Sequence, residues 1–187
     1  MKLSTTVLAR TAMLGALVVI FDYTMKFSGL KIPFPWLPFL KFDFTGIPIV
    51  LSLLLIGFGP GAVTSAVAFL AIVVRSGDMV GASMKALAEF STILGMSLSI
   101  ILIKKFPTLA KLVSFVSSCV FRVLVMTAAN LVILPLYTNV SFDFVLKISP
   151  LVAAFNVFQG FLTMFGGYIV YEALLRRMPS LASKTGS

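Results

Sequence analysis

Residues 41–63, KFDFTGIPIVLSLLLIGFGPGAV, hold the pattern that decides the fold. Two apolar runs, residues 47–58 and 62–74, contain no charged residue. The glycines and the proline of residues 57–61, GFGPG, separate these runs, and such a cluster is typical of a tight turn. Uncharged runs joined by a short turn predict two helices in an apolar environment.

The composition of the whole chain indicates that this environment is a lipid bilayer. Of the 187 residues, 59% are hydrophobic and only 11% are charged, with a mean hydropathy of +1.10. Soluble domains are roughly half apolar, so a soluble core of this size does not accommodate so many apolar side chains. With no histidine and the single cysteine Cys119, an intrachain disulfide and the usual Cys/His zinc sites are excluded.

Six apolar segments predict an all-α integral membrane protein with six transmembrane helices in a single domain, residues 1–187. The predicted helices cover about residues 3–25, 45–58, 61–75, 79–104, 111–136 and 150–176. A membrane span takes about 20 residues, which four segments satisfy. The second and third are shorter, so they tilt, thin the membrane locally or form a re-entrant pair. Asp78 is predicted to cap the fourth helix, and Ser149 with Pro150 to open the sixth.

The distribution of basic residues predicts the orientation. Six spans place both termini on one side, and Lys and Arg accumulate on the cytoplasmic side. Eight basic residues fall on the side of the termini and five on the other, which favours cytoplasmic termini. The net charge of +9 therefore reflects membrane topology, and no nucleic-acid partner is expected. The eight are Lys2, Arg10, Lys104, Lys105, Lys111, Arg176, Arg177 and Lys184; the five are Lys26, Lys31, Lys41, Arg75 and Lys147.

Polar side chains inside the spans predict a binding pocket near the outer surface. Polar groups in a span are costly and usually face protein or a cavity. Several lie at a similar depth, ~10 Å below the outer boundary at the helical rise. These are Lys85 on the fourth helix, Asn130 on the fifth, and Asn156 with the slightly deeper Gln159 on the sixth. Lys41 and Asp43 would form the roof of this pocket.

Structural alternatives remain open for each of these residues. Lys85 and Glu89 lie four residues apart on one helix face, so they could neutralise each other. Glu89 could instead pair with Arg122 on the next helix. Asn130, Asn156 and Gln159 could form hydrogen bonds between helices. Lys41 and Asp43 could form an ion pair at the membrane interface. The aromatic residues around them fit either an interfacial belt or the walls of a planar ligand site: Phe34, Trp36, Phe39, Phe42 and Phe44.

The first helix carries small residues near its cytoplasmic half. Ala12 and Ala16 are four residues apart, with Ala9 close by, and this spacing lets another helix approach closely. The surface serves either internal packing or a partner protein. The chain has no P-loop, HExxH or GxSxG motif, so it is expected to be a binding subunit and not an enzyme. A small membrane enzyme using Glu89 or Asp43 as acid/base is the alternative from another class.

Three segments resemble a known family. The segments are FPWLPFLKFDFTGIPIVL followed by FGPGAV, MTAANLVILPLY at residues 126–137, and PLVAAFNVFQG at residues 150–160. All three are similar to the substrate-binding S components of energy-coupling factor (ECF) vitamin transporters. The riboflavin-specific type, with the pattern P-x-L-K-x-D-x-S-x-I-P, is the nearest. Three features differ: Gly46 replaces a usual aspartate, Gln159 a common lysine, and VAFLAIVVRSGD lacks a Lys-Asn-Leu run.

The resemblance implies a division of labour. An S component binds its vitamin with high affinity from outside, associates with a transmembrane coupling subunit and two ABC ATPases, and topples to turn its pocket inward. It implies a multi-pass protein of a prokaryotic cell membrane, with riboflavin as the transported ligand and no prosthetic cofactor. It also implies docking through Ala9, Ala12 and Ala16. Another vitamin is the alternative ligand. The predicted ligand-binding residues are Trp36, Lys41, Phe42, Asp43, Lys85, Asn130, Asn156 and Gln159. Together with Glu89, which lies beside Lys85, they form a net-neutral polar set that argues against a strongly anionic ligand.

Overall fold

A computed structural model describes residues 4–103 and 105–178. Lys2, Lys104 and Lys184, which entered the charge count above, lie outside the described residues. Six helices and one two-stranded hairpin follow each other along the chain. They are α1 Thr5–Phe27, β1 Ile32–Phe34, β2 Leu37–Phe42, α2 Gly46–Leu55, α3 Phe58–Ser76, α4 Met79–Leu102, α5 Pro107–Tyr137 and α6 Phe142–Arg177.

Five of these helices are long and apolar enough to cross a membrane. The exception is α2, which has 10 residues and so spans only ~15 Å at the helical rise. The third helix, at 19 residues, is longer than the sequence predicts. Although short, α2 is well enclosed, with seven of its residues buried against the surrounding helices. The chain therefore has a multi-pass membrane fold in which α2 is an internal helix.

Helix α6 begins earlier than predicted. The prediction that Ser149 and Pro150 open this helix is wrong, because α6 begins at Phe142 and Pro150 lies inside it. The cap is Ser141, whose side chain accepts a hydrogen bond from the Phe144 amide at 3.4 Å. A proline removes one backbone donor from a helix, and α6 nevertheless continues through Pro150. The predicted cap of α4 is confirmed, since Asp78 accepts from the Gly81 amide at 2.8 Å.

The short antiparallel hairpin β1–β2 is an addition to the predicted all-α fold. Ile32 pairs with Phe42 and Phe34 with Leu37. The hairpin lies on the N-terminal half of α6, where Phe34 and Leu37 form a small apolar cluster with Val152 and Phe155. Because edge-to-face aromatic contacts such as Phe34 with Phe155 (5.6 Å between ring centroids) favour a fixed arrangement, the hairpin is held against the bundle. We call this end of the bundle the hairpin end.

The apolar core joins α1, α2, α3, α4 and α6. It contains Val18, Ile49, Val50, Leu53, Ala68, Ile93, Met96, Met164 and Tyr168. Glycine allows α4 and α5 to approach closely, because a Cβ at Gly95 would lie 2.7 Å from the Ser117 carbonyl oxygen. Close backbone approach at small residues is the usual basis of helix packing in membranes, where water does not drive association. This packing leaves the hairpin end free to hold a cavity.

Candidate binding site

A cavity of about 600 Å³ opens at the hairpin end. Its size is within the range of small-molecule sites. The hairpin and every helix except α2 contribute to its walls. The lining consists of Lys26, Lys31, Phe39, Leu40, Lys41, Asp43, Ile72, Arg75, Ser76, Asp78, Val80, Gly81, Met84, Lys85, Ala88, Arg122, Met126, Asn130, Leu134, Thr138, Val152, Phe155, Asn156 and Gln159. Polar groups from five helices thus face a common space with apolar and aromatic walls.

The structure brings six of the eight predicted ligand-binding residues together in this lining. They are Lys41, Asp43, Lys85, Asn130, Asn156 and Gln159. The other two lie elsewhere. Phe42 packs against Phe155 at 5.0 Å between ring centroids, and Trp36, which is 64% exposed, packs against Phe34 in the hairpin. Phe39 is the hairpin aromatic that lines the cavity. The sequence could not distinguish these aromatics, because the hairpin that orients them was not predicted.

A network of ion pairs in the cavity wall connects the loop after β2 with α4 and α5. The Lys85 ammonium lies 2.8 Å from Asp43 Oδ1 and 2.8 Å from Glu89 Oε1. Glu89 Oε1 in turn lies 3.2 Å from Arg122 Nη1. Both pairings left open for Glu89 are therefore present together. Glu89 is fully buried, whereas Lys85 and Arg122 line the cavity. The same network therefore connects the helices and forms part of the cavity wall.

Arg122 forms the base of this network. It is only 2% exposed, and its Nε donates to Asn156 Oδ1 at 3.1 Å. Its Nη1 also donates to Thr92 Oγ1 at 3.0 Å. A buried charge is tolerated only when its partners replace the lost water. Arg122 thereby ties α4, α5 and α6 together beneath the cavity.

The amide side chains differ in how much bonding capacity they have left. The Gln159 amide bonds the backbone of Asp43 and the Thr163 hydroxyl, and Asn156 bonds Arg122 and the Val152 carbonyl. Asn130 is different, since its Nδ2 donates only to Met126 of its own helix. Its side-chain oxygen has no partner within the described residues. Asn130 is therefore the lining amide best able to accept a hydrogen bond from a ligand.

Asp43 is the charged group at which the loop meets the helices. Its carboxylate accepts from the Thr45 amide at 3.1 Å and contacts Lys85 and, at 3.7 Å, Lys31. Burial alone would raise the pKa of Asp43, but the two lysines and these hydrogen bonds hold its pKa below the ordinary value. Asp43 is consequently ionised at neutral pH, as an anchor for lysines of the cavity.

A second ionic cluster contains residues that sequence reasoning did not assign to the site. Asp22 on α1 is 1% exposed and lies 2.9 Å from Lys31 Nζ and 2.7 Å from Arg75 Nε. Lys31 bridges this cluster to Asp43, so the two networks are continuous. The available signal was Asp22, an acidic residue inside an apolar helix. An intramembrane carboxylate requires a cationic partner, and only Lys and Arg were available.

The glycine at position 46 is explained by Glu89. A Cβ at Gly46 would lie 2.3 Å from Glu89 Oε2 and 2.5 Å from Thr163 Cγ2. No side chain fits there without displacing the buried carboxylate. The riboflavin-type pattern that this chain resembles has an aspartate at position 46. In this chain, the carboxylate of Glu89 from α4 occupies the space beside Gly46. Glu89 Oε2 has no hydrogen-bond partner among the described residues.

The small-residue surface of α1 lies on the outside of the bundle. Ala9, Ala12 and Ala16 are exposed, while Leu14 and Val18 face the core. These alanines therefore do not pack inside the chain. Among the described residues, no group of His, Cys, Asp and Glu could hold a metal ion.

Comparison with known proteins supports the fold class. The sequence matches no protein-family profile and no curated protein sequence. A solved structure described as the S component of a bacterial ECF transporter does match, with a TM-score of 0.72 over 92% of this chain and 97% of that one. The two sequences are 21% identical. The chain therefore has the same fold as this ECF transporter S component.

Proposed function

We propose that this protein is the substrate-binding S component of an ECF importer and that its ligand is riboflavin. The observation that carries the proposal is the cavity at the hairpin end, where polar groups of separate helices meet between apolar walls in a transporter-component fold. Such a cavity suits capture of a small molecule from one side of a membrane.

The lining supports a flavin in particular. An isoalloxazine ring has flat apolar faces and an edge of alternating hydrogen-bond donors and acceptors. Phe39, Phe155 and Met126 offer apolar surface for the faces, and Asn130 an amide with bonding capacity for the edge. The ribityl hydroxyls would bond Lys85 and Asp43 near the mouth. Another vitamin remains the alternative, favoured by the departures from the riboflavin-type pattern at Gly46 and Gln159.

The ionic contacts of the site argue against the enzyme alternative. A general acid or base needs a carboxylate whose proton affinity suits transfer near neutral pH. Asp43 and Glu89, the two candidates, both contact cations directly. Charge pairing of this kind favours a binding scaffold over proton chemistry.

The proposal includes an orientation and a set of partners. Cytoplasmic termini, favoured by the eight-to-five distribution of basic residues, would place the cavity mouth on the outer side. The exposed Ala9, Ala12 and Ala16 would then form the surface that docks on a transmembrane coupling subunit, which carries two ABC ATPases.

Riboflavin fluorescence tests the ligand assignment. The experiment titrates riboflavin into purified apo protein in non-ionic detergent. We expect the flavin fluorescence to be quenched at micromolar ligand or below, because the ring would lie among aromatic and charged side chains. Absence of quenching, with a well-folded protein shown by cooperative thermal unfolding, would remove riboflavin and leave the fold class unchanged.

A further inference from the structure

The cavity carries more positive charge than its candidate ligand requires. Six cationic side chains line it: Lys26, Lys31, Lys41, Arg75, Lys85 and Arg122. Only two anionic side chains, Asp43 and Asp78, line it with them. The buried carboxylates of Asp22 and Glu89 lie behind the wall, so six cations against four anions leave a net charge of +2.

The ion pairs account for four of these cations and leave two at the mouth. Asp22 pairs with Lys31 and Arg75, and Glu89 with Lys85 and Arg122. Asp43 adds further contacts to Lys31 and Lys85, and Asp78 caps α4. Within residues 4–103 and 105–178, neither Lys26 nor Lys41 forms a salt bridge.

These two lysines come from different elements that border the opening. Lys26 lies in the last turn of α1 and Lys41 on β2, and both are exposed. The other four cations of the lining are already paired. Excess positive charge at the opening of a cavity with apolar walls produces a positive electrostatic potential there, which attracts anions. The sequence-based expectation of a net-neutral polar set omitted Lys26, Lys31 and Arg75, which the fold brings to the cavity.

We propose that the preferred ligand carries an anionic group, a carboxylate or a phosphate, held at the mouth by Lys26 and Lys41 while its uncharged ring lies deeper. The inference rests on the proposed function in one respect, namely that the cavity binds a small nutrient. It changes the expected ligand class from neutral to anionic. For a flavin, the anion would be a phosphate on the terminal ribityl hydroxyl, the end of the molecule nearest the mouth.

Matched pairs of compounds that differ mainly in the anionic group test this inference. The pairs are riboflavin 5′-phosphate with riboflavin, biotin with biotinamide, nicotinic acid with nicotinamide, and pantothenate with panthenol. Binding is measured by thermal stabilisation of the protein in non-ionic detergent, and for flavins also by fluorescence. For the scaffold that binds, we expect the anionic member to bind about tenfold tighter at low salt, with the preference shrinking at high salt.

Variants assign the preference to the mouth. Lys26→Gln and Lys41→Gln should each reduce the preference for the anionic member over the neutral member of a pair. Lys147→Gln is the matched control, because Lys147 is an exposed lysine on the first turns of α6 that does not line the cavity. It should change neither affinity. A preference that survives in the double variant Lys26→Gln/Lys41→Gln would overturn the inference.

The outcomes separate this inference from the riboflavin assignment. Equal binding of riboflavin and its phosphate would overturn the anionic ligand and keep riboflavin. An anionic preference on another scaffold, without flavin binding, would support the inference and remove riboflavin. Failure of every pair to bind would overturn both. Repeating the titration with added phosphatidylglycerol tests lipid phosphate as the anion, and a selective loss of affinity for the anionic member would assign the lysines to lipid and overturn the inference.

Discussion

Gln159 on α6 exchanges two hydrogen bonds with the backbone of Asp43, although the two residues are 116 positions apart in the chain. Its Nε2 donates to the Asp43 carbonyl oxygen at 2.8 Å, and its Oε1 accepts from the Asp43 amide at 3.3 Å. The loop between β2 and α2 is thereby held against α6. Because Asp43 also anchors Lys85 and Lys31, this contact sets where the charged residues of the cavity lie.

Asn130 should contribute to ligand affinity and little to stability. Its only hydrogen bond among the described residues is to Met126 in its own helix. We expect Asn130→Ala to weaken riboflavin binding by about 1–3 kcal/mol, because a ligand donor would be left unmatched. The measurement is a fluorescence titration together with thermal unfolding. Asn139→Ala, at an exposed position outside the lining, is the control, and equal affinity in both variants would place the flavin edge elsewhere.

Lys85 should contribute strongly to stability because it lies between two buried carboxylates. Lys85→Met removes the cation that contacts both Asp43 and Glu89 at 2.8 Å. Breaking a buried ion pair costs about 3–5 kcal/mol, so we expect a large fall in the free energy of unfolding. Lys111→Met, which breaks the half-exposed pair with Glu172, should have a much smaller effect. Similar losses in the two variants would show that the Lys85 network is solvated.

Gly46 should not tolerate even a methyl group. The Cβ introduced by Gly46→Ala would lie 2.3 Å from Glu89 Oε2, so the carboxylate or the start of α2 must shift. We expect a loss of stability of about 1–3 kcal/mol and weaker ligand binding, measured by thermal unfolding and titration. Gly59→Ala is the matched control, since no atom lies within 4 Å of a Cβ there. An unchanged melting temperature in Gly46→Ala would contradict the proximity of Glu89.

Ala12 should matter for transport and not for binding. Ala12 is exposed on the small-residue surface of α1, so Ala12→Trp would block close approach of another helix. We expect uptake of riboflavin by cells with the complete transporter to be lost, while riboflavin still binds the purified variant. Val120→Trp, at an exposed position on α5, serves as the control and should preserve uptake. Normal uptake by Ala12→Trp would show that this surface faces lipid.

The sequence predicts the helices better than the connections between them. Apolar runs and turn residues indicate six helices, and all six are present, because backbone hydrogen bonding within each segment is local. The start of α6 was wrong since Pro150 resembles a first-turn residue but is accommodated inside the helix. The hairpin was missed because its stability depends on packing of Phe34 and Leu37 against α6, which is a tertiary contact.

The same distinction applies to the cavity. Lys85, Asn130, Asn156 and Gln159 could be predicted because polar residues in apolar helices stand out, and helical rise gives their depth. Lys26, Lys31 and Arg75 could not, since they lie at helix ends and in a loop, where charged residues are ordinary. Only the fold shows that these ends converge on one opening.

Equilibrium dialysis of riboflavin against the wild-type protein and Met126→Trp tests most directly that the cavity at the hairpin end is the binding site. Met126 lines the cavity and is 7% exposed, so a tryptophan there would fill part of the space. We predict about one riboflavin per wild-type chain and a large loss of binding in Met126→Trp, with cooperative unfolding in both. Stoichiometric binding to folded Met126→Trp with wild-type affinity would contradict the assignment of this cavity.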